Sequence, residues 1–156
     1  MIILGLDPGT ASTGYGILKK DKGSLLCLEY GCFETPKHKT AGERLVLLEK
    51  ALLRVLNAYK PDVVAVERLF FFKNLKTAMP VSEARGVLLL TIARKKITTV
   101  ELSPLQVKMA ITGYGRADKK QIQGMVKEIL KLKQAPKPDD AADALALAIA
   151  YSASAR

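Results

Sequence analysis

Apolar positions recur along this chain with two different periods, and the switches between them mark out the elements. Ile2-Ile3-Leu4-Gly5-Leu6 is a near-continuous apolar run that ends at Asp7-Pro8-Gly9-Thr10, which reads as a buried strand stopped by a turn. Gly14 to Leu18 reads as the next strand, Lys20-Asp21-Lys22-Gly23 as a turn, and Ser24 to about Phe33 as a third strand. Connections this tight predict an antiparallel meander. Thr40-Ala41-Gly42-Glu43 then has the form of a capping box, and Leu45, Leu48, Leu52, Val55, Leu56 and Tyr59 follow it at helical spacing until Pro61. Asp62 to Glu67 is short, Val-rich and apolar almost throughout, as expected of a strand inside a sheet.

A second helix is predicted over roughly Leu75 to Lys95, with Pro80 implying a kink or a late start. Ile97 to Leu102 makes a fifth strand. Ser103-Pro104 opens a short helix, with the serine as cap and the proline in its first turn. Thr112 to Arg116 is a loop, and Asp118 caps a helix with an apolar stripe of Ile122, Met125, Val126, Ile129 and Leu130 and a lysine-bearing opposite face. A linker with two prolines leads to a last, alanine-rich helix over about Asp139 to Ala150. The order β-β-β-α-β-α-β followed by helices predicts an α/β fold, one mixed five-stranded sheet flanked by helices and forming a single domain over 1–156.

Against this apolar frame, four acids stand out by position. Asp7 and Glu67 each end a buried strand, and Asp140 and Asp143 share one face of the last helix. A charge at the end of a buried strand is costly unless it is paired or bound to metal. Strands 1 and 4 can lie side by side, and the alanines around Asp140 and Asp143 let that helix approach the sheet closely. Four carboxylates at one place need cations, and an oxygen-only set suits Mg²⁺ or Mn²⁺. Two such ions can activate water and stabilise the leaving oxygen of a phosphodiester. Spacing alone leaves both Asp139 and Asp140 open as the ligand; Asp139 suits the N-cap, which favours Asp140.

Charge adds a partner. With 25 Lys+Arg against 15 Asp+Glu, the formal net charge is +10, which favours a polyanion. No apolar run approaches a membrane span and no signal peptide is expected. Cys27 and Cys32 have the wrong spacing for a zinc knuckle and read as free thiols, so a reducing, cytoplasmic location is expected. Phe70-Phe71-Phe72 cannot all face one core, so at least one is expected to be free to stack on an unpaired base.

Taken in order, Ile3-Leu4-Gly5-Leu6-Asp7-Pro8-Gly9, Val66-Glu67, Phe72-Lys73-Asn74, Ala84-Arg85-Gly86, Gln106-Val107-Lys108, Ala117-Asp118-Lys119 and Asp140-Ala141-Ala142-Asp143-Ala144-Leu145-Ala146 resemble the RuvC family of Holliday junction resolvases. The resemblance covers essentially the whole chain. It implies a ribonuclease H-like fold and a homodimeric, Mg²⁺-dependent endonuclease making paired nicks in four-way junction DNA. It assigns the metal site to Asp7, Glu67, Asp140 and Asp143, and places Lys108 and Lys119 near the scissile phosphate. It points to Phe70 as the base-stacking aromatic. Phe71, Phe72 and Lys73 beside it, and Arg116 and Lys120 near the two lysines, are further candidate DNA contacts, and Arg85 is a candidate for either the DNA or the dimer. The resemblance also implies cooperation with the RuvA–RuvB branch-migration machinery. An actin-like ATPase, suggested by Leu6-Asp7-Pro8-Gly9-Thr10, would need a second such domain. An RNA-cleaving relative and a non-catalytic junction binder complete the alternatives.

Overall fold

In the computed structural model, which describes residues 1–9, 11–69 and 75–155, the first three strands form the expected meander. They are β1 (Ile2–Asp7), β2 (Ser12–Asp21) and β3 (Ser24–Glu34). The β2–β3 turn is Lys22–Gly23, and both residues have positive φ, the backbone twist that a two-residue hairpin turn requires. β2 is longer at both ends than its apolar run. It pairs with β1 on one side and β3 on the other, so the ladder recruits polar Ser12, Thr13 and Lys19 to Asp21 whatever their side chains.

Helix α1 (Ala41–Tyr59) starts at the Thr40/Glu43 capping box, with both arms formed, and ends at Lys60 in a left-handed conformation before Pro61. β4 (Val63–Glu67) runs parallel to β1, and β5 (Thr98–Leu102) parallel to β4. Between them, α2 (Leu75–Arg94) runs through Pro80 instead of starting after it; the proline lies near the helix start, where it forfeits only one intrahelical bond. α3 (Pro104–Thr112) and α4 (Lys119–Ile129) both open with capping boxes, Ser103 with Gln106 and Asp118 with Gln121. The last helix, α5, spans Asp139–Ser154. Its N-cap is Pro138, which offers no side-chain hydrogen bond, so Asp139 is not the cap the sequence suggested. The chain rises into α5 through Pro138, and Asp139 turns instead to Lys119, Lys137 and Gln123.

The sheet order is β3-β2-β1-β4-β5, which puts β1 at the centre and β4 beside it. Period-two alternation gives the sheet two unlike faces. Leu4, Leu6, Ile17, Val64 and Val66 pack under α1 and α2, against Leu48, Leu52, Leu88 and Ile92. Ile3, Leu18, Val63, Ala65 and Leu102 pack under α3, α4 and α5. None of the described helices is long and apolar enough to cross a membrane.

α5 lies almost on the backbone of the sheet. A Cβ added at Gly5 would fall 1.9 Å from the Ala144 carbonyl oxygen, and one at Gly14 would fall 1.9 Å from that of Asp140. Gly16, the cross-strand partner of Gly5, is covered by Leu145. The alanines of the helix are thus half of the packing device, and the glycines of β1 and β2 are the other half. At the far end, Lys20 Nζ on β2 donates to the carbonyls of Ser152 (2.8 Å) and Ala155 (2.6 Å), anchoring the C-terminus of α5 and meeting its negative dipole end.

Because the obstruction at Gly5 is backbone, it cannot rotate away. Gly5→Ala is expected to destabilise the fold by ~2–3 kcal/mol, or roughly 6–9 °C in melting temperature for a chain of this size. A melting curve within about 2 °C of the parent would show that α5 can lift without cost.

Candidate active site

Two β-strands and the start of one helix build the site. On β1, Asp7 is in phase with Ile3 and Gly5; on β4, Glu67 is in phase with Val63 and Ala65. Both therefore emerge on the face that α5 covers. The parallel register pairs Leu6 with Val66, so the two acids leave neighbouring strands at the same sheet end. From above, Asp140 and Asp143 come down on one face of α5. Single carboxylate oxygens of Asp7, Asp140 and Asp143 all lie within 4.8 Å of one another. Glu67 stands outside that triad but shares with Asp7 and Asp143 the lining of an open cleft of ≈ 210 Å³. Val107, Ile122, Ala146 and Leu147 give this cleft an apolar wall, and Lys108, Asp118 and Lys119 complete its polar lining.

The electrostatics record how crowded these acids are. Burial, then the charges of Glu67, Asp143 and Asp140, push the Asp7 carboxyl up to about 8, with Lys119 pulling the other way. Burial followed by Asp143 raises Glu67. Burial also raises Asp143, against the opposing pull of Lys119. The Lys119 ammonium lies 3.2 Å from Asp143 and 3.5 Å from Asp139. Burial alone would lower its pKa, but the two carboxylates outweigh this and hold it above the ordinary lysine value. Asp139 is held low, chiefly by Lys119. Geometry thus separates the two adjacent acids: Asp140 joins the triad, and Asp139 belongs to an exposed ion-pair group. A set of converging oxygens with repulsion left over is the donor set that a hard divalent cation suits.

The other residues singled out in the sequence divide between the cleft and the rest of the surface. Lys108 and Lys119 line the cleft; Arg116 and Lys120 are exposed and do not. Arg85 does not line the cleft. It sits on α2, which packs on the opposite face, and it pairs with Glu101 of β5 at 2.7 Å, with Arg68 approaching the same glutamate at 3.6 Å. Phe70, Phe71, Phe72 and Lys73 lie outside the described residues.

The sequence reading missed two features. Ser12 donates its hydroxyl to Asp140 Oδ2. No local pattern marks it, because the apolar run of β2 begins two residues later. The glycine lane did leave a signal: Gly14 and Gly16 alternate at strand period, as residues that share one sheet face must.

An Asp7 pKa near 8 in the fold, against 3.8 when exposed, has a stability consequence. Between these values the folded state binds the extra proton, so the stability it confers is complete below the lower value and is lost as pH rises through the upper one. Asp7→Asn has no such charge to bury. In metal-free protein its melting temperature is expected to exceed the parent's, with the gap widening by roughly 10 °C from about pH 5 to about pH 8.5. A gap that is flat or narrows with rising pH would mean Asp7 ionises freely.

Comparison with known proteins agrees along nearly the full length. The model of the family described as crossover junction endodeoxyribonuclease RuvC matches residues 3–151. The RuvC protein of Dictyoglomus thermophilum is 50% identical over 151 residues, covering 97% of this chain and 96% of its own. That of Caldicellulosiruptor saccharolyticus is 51% identical over 152 residues, covering 97% and 92%. Among solved structures, Thermus thermophilus RuvC superposes with a TM-score of 0.91 at 34% identity, covering 100% of this chain and 96% of that one. The same protein in complex with Holliday junction substrate gives 0.91 at 31% identity, with the same coverage. Sequence and overall fold agree, and the chain belongs to the RuvC family of crossover junction endodeoxyribonucleases.

Proposed function

We propose that this protein resolves Holliday junctions by paired, symmetric nicks, as a single nuclease domain acting at a metal site formed by Asp7, Glu67, Asp140 and Asp143. The observation that carries the reading is the convergence of Asp7, Asp140 and Asp143 within 4.8 Å, beside Glu67 in an open cleft rimmed by lysines. The relative from T. thermophilus, solved with a Holliday junction substrate, supports four-way DNA as the ligand. We take Mg²⁺ as the working ion, with Mn²⁺ substituting and two ions per site. When bound, they supply an activated water and stabilise the leaving oxygen of the scissile phosphodiester.

The chain's own residues have separable tasks. The four carboxylates supply the negative charge and oxygen donors. In the absence of cations, Asp7 retains a proton near neutral pH, which limits the repulsion. Lys119, tied to Asp143, and Lys108, on the cleft wall, are placed to donate to non-bridging phosphate oxygens and offset charge as it develops. The apolar wall reduces competing water and strengthens those contacts. Over the remaining surface, the net charge of +10 gives a salt-sensitive hold on the DNA backbone, to which Arg116 and Lys120 contribute. Phe70, with Phe71, Phe72 and Lys73 beside it, is assigned to base stacking at the crossover.

Two symmetric cuts require two sites, which a two-fold dimer provides. α2 carries exposed Leu75, Met79 and Leu90 on the face turned away from the sheet, while Leu88 and Ile92 are fully buried on the other. An apolar second face of this kind suits the matching helix of a second copy. The RuvA–RuvB machinery is the proposed partner, which places the protein in the cytoplasm with DNA.

Incubating the protein with a synthetic four-way junction and a matched linear duplex, with and without Mg²⁺, tests the reading. Paired nicks are expected in the junction only, and only with metal. Asp7→Asn is expected to slow nicking roughly 10³-fold, about 4 kcal/mol of transition-state stabilisation, while retaining junction binding. Metal-independent cutting, or full activity in the variant, would remove Asp7 from the chemistry. Leu90→Arg is expected to convert the dimer to monomer in size-exclusion chromatography with light scattering. Junctions nicked in only one strand should then accumulate. A variant that remains dimeric would place the interface elsewhere.

A further inference from the structure

Ser12 opens β2 and shares the strand phase of Gly14 and Gly16, so its side chain is on the face that α5 covers. Its hydroxyl donates to Asp140 Oδ2 across 128 positions of sequence. Behind it on β3 is Cys32, the register partner of Gly14, on the same sheet face.

Asp140 needs such a restraint. It lies in the first turn of α5, within reach of Asp7 and Asp143; Asp143 repels it, as does Asp7 once ionised. Turning outward would relieve that repulsion at the cost of only a side-chain rotation. Its backbone cannot adjust to compensate, since its carbonyl rests on Gly14. A hydroxyl donor on the sheet side holds one oxygen inward and leaves the other for a ligand. We propose that Ser12 is the positioning residue of this site: its hydroxyl keeps Asp140 turned toward Asp7 and Asp143, so that a divalent cation meets the three carboxylates already assembled. This rests on the reading of the carboxylates as a metal site. The physical benefit is preorganisation, because the repulsion and the lost side-chain freedom are borne by the fold before the cation arrives.

The test uses Mn²⁺ alone, titrated into DNA-free protein and followed by calorimetry and by the electron paramagnetic resonance signal of the free ion. The parent, Ser12→Ala, Ser12→Thr and Asp140→Asn are compared. Ser12→Ala is expected to weaken Mn²⁺ binding about tenfold, at the lower end of what loss of a ligand-orienting partner costs, and Ser12→Thr to restore it. In junction nicking, the alanine variant should need about tenfold more Mn²⁺ for half-maximal rate and approach the parent rate at saturation. Binding by Ser12→Ala within about twofold of the parent would overturn the inference, as would failure of threonine to restore what alanine loses. If the parent binds no Mn²⁺ and Asp140→Asn behaves identically, the metal-site reading falls and the inference with it. Binding by the parent that Asp140→Asn loses and Ser12→Ala keeps would remove Ser12 alone.

Discussion

The depth at which α5 sits on the sheet controls most of what this molecule does. A helix normally packs on a sheet through two layers of side chains. Here Gly5 and Gly14 remove one layer, and the helix backbone itself meets the strands, leaving no room for a Cβ at either glycine. Asp140 and Asp143 are carried down with the helix to the level of Asp7. The same helix is tied at its other end by Lys20 to the carbonyls of Ser152 and Ala155. A 16-residue helix is a rigid rod of about 24 Å, so an anchor at its C-terminus also fixes the axial position of the acids at its N-terminus. Burial of Leu145, Leu147 and Ile149 supplies the driving force that holds the rod in place against the repulsion at its tip.

That repulsion is the site's working state. A carboxyl held near 8 by burial and three neighbouring acids is a local cost that the rest of the fold must offset. Lys119 relieves part of it through Asp143, from a side chain half in solvent that can turn toward another anion. A natural protein keeps such an arrangement where function needs it, and the metal-free fold is less stable for it. Asp139 shows the contrast. One residue away from Asp140, it is half-exposed and surrounded by Lys119, Lys137 and Gln123, and its pKa is lowered instead of raised. Helical rotation of about 100° per residue is enough to separate a structural acid from a site acid.

The two faces of the sheet divide the labour. Beneath α3, α4 and α5, the C-terminal ends of β1 and β4 deliver Asp7 and Glu67 into the cleft, the end at which open sheets with parallel strands place their ligands. Beneath α1 and α2, no described carboxylate joins that cluster. There Arg85 and Arg68 share Glu101, and the outer surface of α2 presents Leu75, Met79 and Leu90. The proposed metal chemistry and the proposed self-association therefore use opposite sides of one central sheet.

The sequence by itself determined the elements, their order and the identity of the acids. Apolar periodicity and caps together located all five strands and five helices of the described residues, and the capping box at Thr40 and the caps at Ser103 and Asp118 were legible because a cap is a local hydrogen-bond pattern. Strand-end acids and an i, i+3 pair were legible for the same reason. Features made between distant segments were not. Ser12 meets Asp140 only after β2 and α5 are packed together; Arg85 acquires Glu101 only when α2 covers β5; Asp139 meets Lys119 only when α4 lies beside α5. The extra length of β2 comes from pairing on both sides, not from its own residues. Local patterns follow from bond geometry and hydrophobic spacing within a few residues, whereas partner choice for a polar side chain depends on which surfaces the fold brings within hydrogen-bond reach.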